Sequence, residues 1–350
     1  MATNEEQSTV PGTEAQYPQS WVDRLIQWID RLPGPQWLFY LVSTLALTLL
    51  ITVALWIDGS TPFGSYGSIS GIFPPFVFYF LALYHYLTRI GSRSLQAFRP
   101  LLDLDETQLA QIDYRLARLP RWAGWLSIIL AAISLPQFFT SGQAFGGHDP
   151  NTLPPYIIAG AAAVFFGATI FALIIRSIRQ MQMVHRLHSQ AANINLLDLE
   201  PVHAFSGLTA RTGIGIILLL FLGLARDFSS IHNSFYLGGY LIMSLPAVVV
   251  FVVPVLGMRD RLVAEKKREL RQANELLQAT MDKLEKKVRA NDFSDLQGME
   301  TAIGTLMRKR EMVEKISTWP WDTGTLSGFA STMLLPILLW LITRLLGRFF

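Results

Sequence analysis

The sequence predicts an all-α, polytopic helical membrane protein with about seven transmembrane helices and a cytoplasmic antiparallel coiled-coil hairpin. Composition is the first observation behind this prediction. The 350 residues are 51% hydrophobic and only 16% charged, with a mean hydropathy of +0.34. Soluble domains carry about 25% charged residues. The chain is therefore expected to lie largely in lipid.

The second observation is the length of the apolar blocks. Segments near twenty residues long can cross the ~30 Å hydrocarbon core of a bilayer. Seven such segments are predicted at 37–56, 72–88, 122–140, 156–175, 212–225, 236–257 and 326–346. The fifth has only 14 residues. It is accepted because without it the long basic segment 258–325 would fall on the opposite side from the other basic connections.

The third observation is the distribution of basic residues. The connections 1–36, 89–121, 176–211 and 258–325 hold 26 of the 29 Lys and Arg residues, whereas loops 57–71 and 141–155 hold none. Cytoplasmic connections of membrane proteins are enriched in Lys and Arg. We therefore expect a multi-pass protein of the inner (plasma) membrane with a cytoplasmic N-terminus.

These spans predict four regions. Residues 1–36 form a cytoplasmic tail with an interfacial helix, in which Trp21, Leu25, Trp28, Ile29 and Leu32 share an apolar face and Asp23 lies on another. Residues 37–257 form a six-span domain with cytoplasmic inserts 89–121 and 176–211. Residues 258–317 form the hairpin, and 318–350 form a re-entry linker and the seventh transmembrane helix. A last segment that turns back at Pro336 is the alternative to this full crossing.

The hairpin prediction rests on two heptad-like seams. The register breaks between them at Ala290–Phe293, and the chain must return because the seventh span re-enters the membrane. The pair is also expected to pack on the cytoplasmic inserts or on a second copy, since two helices leave apolar edges. The first seam is Leu270, Asn274, Leu277, Met281, Leu284 and Val288, and the second is Leu296, Met299, Ile303, Leu306, Arg310 and Val313.

A short internal similarity accompanies the cytoplasmic inserts. Leu101–Leu102–Asp103–Leu104–Asp105 resembles Leu196–Leu197–Asp198–Leu199–Glu200, and each segment precedes an outward span. A parallel repeat and a chance match both explain it, since short matches are frequent. In either case the acidic residues are expected to cap helices that begin near Thr107 and near Pro201.

No catalytic, cofactor-binding or metal-binding residue is predicted. The chain has no cysteine, and no Ser–His–Asp, P-loop or kinase signature is visible. His85 is expected to pack at the cytoplasmic interface. His185 and His188 are expected on a solvated helix face, with His203 beyond them, so that Gln replacements of the first two leave folding and metal content unchanged.

Other polar and small residues have structural explanations. Gly213 and Gly215, and likewise Gly160, Ala163 and Gly167, are predicted to allow close helix packing. On the outer side, five residues could approach one another, although no spacing requires it: Asp58, His148, Asp149, Asp227 and His232.

Three functional hypotheses remain. The first is a non-enzymatic sensor, scaffold or regulatory subunit, with the bilayer as one partner and a cytoplasmic protein or homo-oligomer contact through 258–317 as another. The second is a transporter or channel with spans kinked at Pro136, Pro246, Pro254 and Pro336. The third and least favoured is a membrane-interface enzyme using His185, His188 or His203. The net charge of +3 is too small to predict nucleic-acid binding.

Overall fold

The computed structural model describes residues 17–65, 68–140, 145, 150–191, 194–225, 234–290 and 296–346. Within these residues the chain is helical, apart from turns and one isolated bridge between Gln19 and Pro120. A short 3-10 turn at Arg99–Leu101 follows the third helix. The helices are α1 Trp21–Arg31, α2 Gln36–Asp58, α3 Ser68–Phe98, α4 Glu106–Ala117, α5 Arg121–Thr140, α6 Leu153–Gln190, α7 Glu200–Ala225, α8 Ser234–Arg289, α9 Leu296–Lys315 and α10 Thr323–Leu346.

The chain divides into two compact units. Unit 1 comprises residues 1–93, 104–180 and 222–228, and unit 2 comprises 94–103, 181–221 and 229–350. Unit 1 thus holds α1, α2, α4, α5 and most of α3 and α6. Unit 2 holds most of α7 and the whole of α8, α9 and α10.

Three helices in the described part of the chain are long and apolar enough to cross a membrane. They are α2, α5 over Arg121–Phe139, and α6. This supports the membrane class but is fewer than the seven spans predicted. Several side chains of the other predicted spans, including those of 221–225, 236–241 and 343–346, lie outside the described residues.

Helix α1 forms where the sequence predicts a helix, but its buried side differs from the apolar face read from the sequence. Ser20 caps its N-terminus, and the helix ends before Pro33–Gly34–Pro35, where Gly34 has a φ of +107°. Val22, Asp23, Ile26 and Ile29 are buried, whereas Trp28 is exposed. The apolar periodicity predicts the helix correctly. Hydrogen bonds to Asp23 orient the face that carries this carboxylate toward the interior of the protein.

Close packing of α5 against α6 depends on the small residues predicted for it. A Cβ placed on Gly167 would lie 3.0 Å from Ala131 Cβ, and one on Gly160 would lie 3.5 Å from Phe139 Cζ. Ala163 is buried on the same helix. Small side chains let two helix backbones approach closely, so these positions fix the separation of α5 and α6.

In unit 2, Gly213 of α7 packs against both α8 and α10. A Cβ there would lie 2.6 Å from Phe329 Cε2 and 3.0 Å from the Ala247 carbonyl oxygen. Phe329 in turn stacks on Phe251 of α8, with ring centroids 4.1 Å apart. Gly213 is therefore a packing glycine, as expected from the sequence.

Helix α8 runs from the predicted sixth span into the predicted hairpin without interruption. Helix α9 packs against it: Lys309 Nζ lies 3.1 Å from Glu269 Oε2, and Lys266 Nζ donates to the carbonyl oxygens of Glu314 and Ile316. The later residue of α8, Glu269, pairs with an earlier residue of α9 than Lys266 does, so the two helices are antiparallel. The predicted break includes 291–293, which lie outside the described residues.

The predicted α8 seam agrees only in part with the burial of that helix. Its members Leu270, Leu277 and Leu284 are half-buried, whereas Asn274, Met281 and Val288 are exposed.

The predicted α9 seam also agrees in part. Val313 is buried and Arg310 is exposed, and the other four members are half-buried: Leu296, Met299, Ile303 and Leu306.

Replacing Gly213 with Ala is expected to destabilise the protein by about 1–3 kcal/mol, because the new methyl group overlaps Phe329. Gly328→Ala is a matched control on α10, since no atom lies within 4 Å of its added Cβ. That change should be neutral or stabilising by up to about 1 kcal/mol. Thermal unfolding of the two variants in detergent measures the difference. Equal midpoints would contradict tight packing at Gly213.

Candidate functional site

Three histidines of unit 2 lie beside α8 or beside the segment that follows α9. His188, near the end of α6, is 1% exposed and packs against the rings of Phe98 and Phe205, with centroids 5.4 and 5.7 Å away. Its Nδ1 is 3.1 Å from the Pro254 carbonyl oxygen, which can accept a hydrogen bond from the protonated nitrogen. The expectation of a solvated face is therefore wrong for His188.

The other two histidines surround the same region. His185 is exposed, and its Nδ1 lies 3.2 Å from the position that a Cβ on Gly257 would occupy. Half-buried His203 on α7 hydrogen-bonds to the backbone of Trp319 and interacts with Asp322. We call the set His185, His188, His203, Pro254 and Gly257 the histidine joint. It connects α6 to α8, and α7 to the segment after α9.

Burial determines the protonation state of His188 and His203 in this set. Desolvation lowers the pKa of His188 to about 4, with the Pro254 hydrogen bond opposing the shift and nearby His185 adding to it. Desolvation also lowers the pKa of His203, against the effects of Asp322 and the Trp319 backbone. Both side chains are consequently neutral at pH 7.

Metal binding finds no geometric support in the described residues, where no three His, Cys, Asp or Glu side chains are close enough to share an ion. In unit 1, a cavity of about 640 Å³ between α5 and α6 is lined without any charged residue. It offers hydrocarbon contacts and no charged acid or base.

Unit 1 contains a buried carboxylate that the sequence did not reveal. Asp23 is 0% exposed and accepts hydrogen bonds from Ser20 Oγ at 2.7 Å, the Leu119 amide at 2.8 Å and the Tyr84 hydroxyl at 3.1 Å. A buried carboxylate with three donors is well compensated. Asp23 thus fastens α1 to α3 and to the connection before α5.

A buried guanidinium, that of Arg176, also contacts Tyr84. Its Nη1 donates to the Tyr84 carbonyl oxygen at 3.1 Å and to the Thr88 hydroxyl, and its Cζ lies 4.4 Å from the centre of the Tyr84 ring. Its Nε and Nη2 are buried without a protein partner. Tyr84 therefore contacts two buried side chains of opposite charge.

A second polar chain follows about two turns further along α1. His85 Nε2 lies 3.1 Å from Asp30 Oδ1, and the same oxygen is 2.8 Å from Arg89 Nη2. Tyr40 Oη lies 2.7 Å from His85 Nδ1. His85 is buried, as a packing histidine would be, and it joins α1, α2 and α3.

Sequence signals for these networks were weak but present. Ser20 three residues before Asp23 has the spacing of a helix cap, and the Ser20 side chain accepts from the Asp23 amide. A helix cap explains why Asp23 follows Ser20 at this spacing, but it does not predict that the Asp23 side chain is buried. Arg176 ends an apolar run, where a basic residue is usually assigned to the interface.

The segments of the proposed repeat both lead into helices. Asp105 caps α4 in a capping box with Gln108, and Asp198 Oδ1 accepts from the Glu200 amide at the start of α7. Leu101 and Leu196 are both buried, but Leu102 is buried while Leu197 is 79% exposed. The second segment thus leaves one large apolar side chain uncovered.

Leu197 lies at a cavity of about 200 Å³ beside α8 and α9. The lining combines apolar side chains with charges of both signs, including Glu265, Glu269 and Lys309. Met312 of the same lining is also exposed. We call Leu197, Met312, Glu265, Glu269 and Lys309 the Leu197 surface.

Of the polar residues predicted on the outer side of the membrane, the structure describes Asp58. Asp58 accepts hydrogen bonds from the Asn151 amide at 2.7 Å and the Thr152 amide at 2.6 Å, just before α6 begins. It therefore joins the end of α2 to the start of α6. His148, Asp149, Asp227 and His232 lie outside the described residues.

Comparison of the chain with protein-family models, curated proteins and solved structures finds no match. Functional inference therefore depends on the side chains and contacts of this chain.

Replacing Asp23 with Ala is expected to destabilise the protein by about 3 kcal/mol or more, because the buried donors of Ser20, Tyr84 and Leu119 lose their acceptor. Asp23→Asn should cost about 1–2 kcal/mol, since an amide keeps an acceptor for Leu119 and Ser20. The neighbouring exposed Arg24→Ala is the matched control. Unfolding midpoints in detergent test this order, and equal loss in Ala and Asn variants would contradict it.

The His188 environment predicts a pH-dependent stability. Its folded pKa is below the ordinary 6.5 of histidine, so the unfolded chain takes up the proton first and stability falls with decreasing pH. Between pH 7.5 and 5 the loss from this group is about 2 kcal/mol. His188→Asn should reduce that loss, and His185→Asn should preserve it. Identical pH profiles for the wild type and His188→Asn would contradict the assignment.

Proposed function

We propose that this chain is a non-enzymatic, multi-pass protein of the inner (plasma) membrane that serves as a scaffold, sensor or regulatory subunit. Its N-terminus is cytoplasmic, about seven helices cross the bilayer, and the α8–α9 pair forms a cytoplasmic coiled-coil hairpin. Support comes from the three apolar helices together with the one-sided distribution of Lys and Arg.

The length of α8 supports a projecting hairpin. Its 56 residues extend ~84 Å at ~1.5 Å per residue, and about 20 of them suffice to cross a bilayer. The rest belongs in the cytoplasm, because 16 of its residues from 258 to 289 are basic or acidic, and some of them form pairs such as Arg289–Glu285. Helix α9 then returns the chain toward α10.

Contacts at the hairpin base support a signalling or scaffolding role. Arg261 donates to the Ser189 carbonyl oxygen, His188 contacts the Pro254 carbonyl, and Arg259 lies 4.7 Å from the Trp319 ring. These contacts attach α8 to the end of α6 and to the segment before α10. A tilt of any one helix would therefore change the direction of the hairpin.

The Leu197 surface is the observation that carries the proposal of a partner. A leucine with most of its area in water, beside exposed Met312 and a cavity with charges of both signs, has the composition of a protein-binding surface. Its position beside α8 and α9 would let a bound cytoplasmic protein respond to hairpin orientation.

Affinity capture with the full chain in detergent or nanodiscs tests this function. A cytoplasmic protein should co-purify in stoichiometric amount with the wild type, and Leu197→Glu with Met312→Glu should reduce its recovery at least about tenfold, as expected for loss of central apolar contacts. Met307→Glu is the matched control, because Met307 is a similarly exposed methionine on α9.

Two results would contradict the proposal. One is recovery of the same proteins with the wild type and the Leu197→Glu, Met312→Glu variant. The other is selective solute flux through the purified chain in liposomes, which would favour the transporter or channel alternative.

A further inference from the structure

The cavity between α5 and α6 opens on the surface of unit 1. Its volume of about 640 Å³ lies in the range of small-molecule sites, about 300–1,000 Å³. Ile157 lines it and is 60% exposed, and Ala161 is also exposed, so the cavity is a groove and not an enclosed void. We call it the α5–α6 groove, and six of the residues that line it are Trp21, Ile128, Leu135, Phe139, Gly160 and Ala161.

The groove has the length of one lipid chain. Its lining on α6 extends from Tyr156 to Ala168, which is ~18 Å at ~1.5 Å per residue. One leaflet contributes about half of the ~30 Å hydrocarbon core of a bilayer, or ~15 Å. Helices α5 and α6 are both long and apolar enough to cross a membrane. In the proposed membrane arrangement, the open side of the groove therefore faces hydrocarbon.

The width of the groove favours a lipid chain over a further helix. A volume of about 640 Å³ over ~18 Å gives a mean cross-section of ~36 Å². An α-helix with its side chains is ~10 Å across and needs ~80 Å². An alkyl chain is much thinner, since its carbon atoms contact their neighbours at ~4 Å. A lipid chain therefore fits where another transmembrane helix does not.

Trp21 marks one end of the groove. Its Nε1 donates to the Gly124 carbonyl oxygen at 3.1 Å and to Ser127 Oγ at 3.3 Å. Its ring centre is 5.7 Å from that of Phe165, so the indole is held against both α5 and α6. Tryptophan is enriched at the level of the lipid headgroups. The Trp21 end is therefore the end nearer to the membrane surface.

Two exposed arginines lie beside this end. Arg24 follows Trp21 by three residues, so the two side chains share a face of α1. Arg121 precedes Ile128 by seven residues, or about two turns, which places it in line with the groove on α5. The Arg121 amide also donates to the Pro18 carbonyl oxygen at 2.9 Å, which holds the start of α5 beside the segment before α1. Within the described residues, neither guanidinium forms an ion pair.

We propose that the α5–α6 groove binds one chain of an anionic phospholipid, with the lipid phosphate at Arg24 and Arg121. The uncharged lining matches a hydrocarbon chain, and the two arginines match the charge of the phosphate. The proposed orientation places this end in the cytoplasmic leaflet, where anionic lipids are concentrated. The proposal rests on that orientation and does not use the Leu197 surface.

Native mass spectrometry of the full chain, released from nanodiscs of equal phosphatidylglycerol and phosphatidylcholine content, tests the groove. The wild type should retain one phospholipid per chain. Ala161→Trp should lower the retained fraction at least about fivefold, because the indole fills the space of the lipid chain. Ala132→Trp is the matched control, since Ala132 is an exposed alanine of α5 outside the groove lining. Its retained fraction should equal that of the wild type.

The headgroup has a separate test in the same nanodiscs. The wild type should retain phosphatidylglycerol in preference to phosphatidylcholine. Arg24→Gln combined with Arg121→Gln should lower that ratio at least about fivefold, because the attraction to the anionic lipid is lost. Arg31→Gln should leave the ratio unchanged, since Arg31 is an exposed arginine seven residues beyond Arg24 on α1 and farther from Trp21.

Photolabelling of the wild type locates the lipid chain without any substitution. Phosphatidylglycerol with a diazirine at the end of one acyl chain should label 135–139 and 156–161 more densely per residue than α2, which also exposes apolar side chains. Equal labelling of α2, no retained lipid, or equal effects of Ala161→Trp and Ala132→Trp would overturn the groove. Equal retention of the two lipids by the wild type would overturn the anionic headgroup.

The groove and the proposed function can fail separately. In the otherwise cysteine-free chain, Arg121→Cys should react with a membrane-impermeant thiol reagent from the cytoplasmic side only. Reaction from the outer side alone refutes the proposed orientation. Failure to retain lipid, together with cytoplasmic reaction of Arg121→Cys, refutes the groove and leaves Leu197-dependent capture as it was.

Discussion

The length of α8 is the constraint on which the rest of the account depends. A helix of 56 residues cannot be contained in a hydrocarbon core that about 20 residues cross. If its first part spans the bilayer, the remainder must stand in water, and an isolated amphipathic helix there is unstable unless its apolar face is covered. Helix α9 covers one side, and the contacts of Arg259, Arg261 and Lys266 hold the base.

Buried polar groups also attach helices to one another where they meet. Asp23 and Arg176 both contact Tyr84, and each has hydrogen bonds that offset part of its desolvation. His188 is neutral and bonded to the Pro254 carbonyl oxygen, which joins the end of α6 to α8. Such bonds are directional, so they fix the rotation of a helix about its axis, which apolar packing alone leaves less well determined.

The sequence predicts where helices, caps and close-packing glycines occur better than it predicts which side chains are buried. Helix α1, the Asp105 cap and the packing at Gly213 follow from local signals, because caps and small residues act over a few positions. The inward turn of Asp23 could not be predicted, since its donors come from Tyr84 and Leu119, far away in the chain. Burial of His188 similarly depends on Pro254. The predicted α8 seam agrees with burial at Leu277 and Leu284 but not at Met281 and Val288, because periodicity alone does not show how far a neighbouring helix covers a face.

Continuity of α8 beyond the membrane is the central claim, and one distance tests it most directly. Spin labels on cysteines at Asp260 and Lys283, both exposed on α8, can be placed in the full chain in lipid nanodiscs. An unbroken helix predicts a separation of ~35 Å, from ~1.5 Å per residue. A distribution centred below about 25 Å would show a break or fold-back, since a continuous helix cannot be that short.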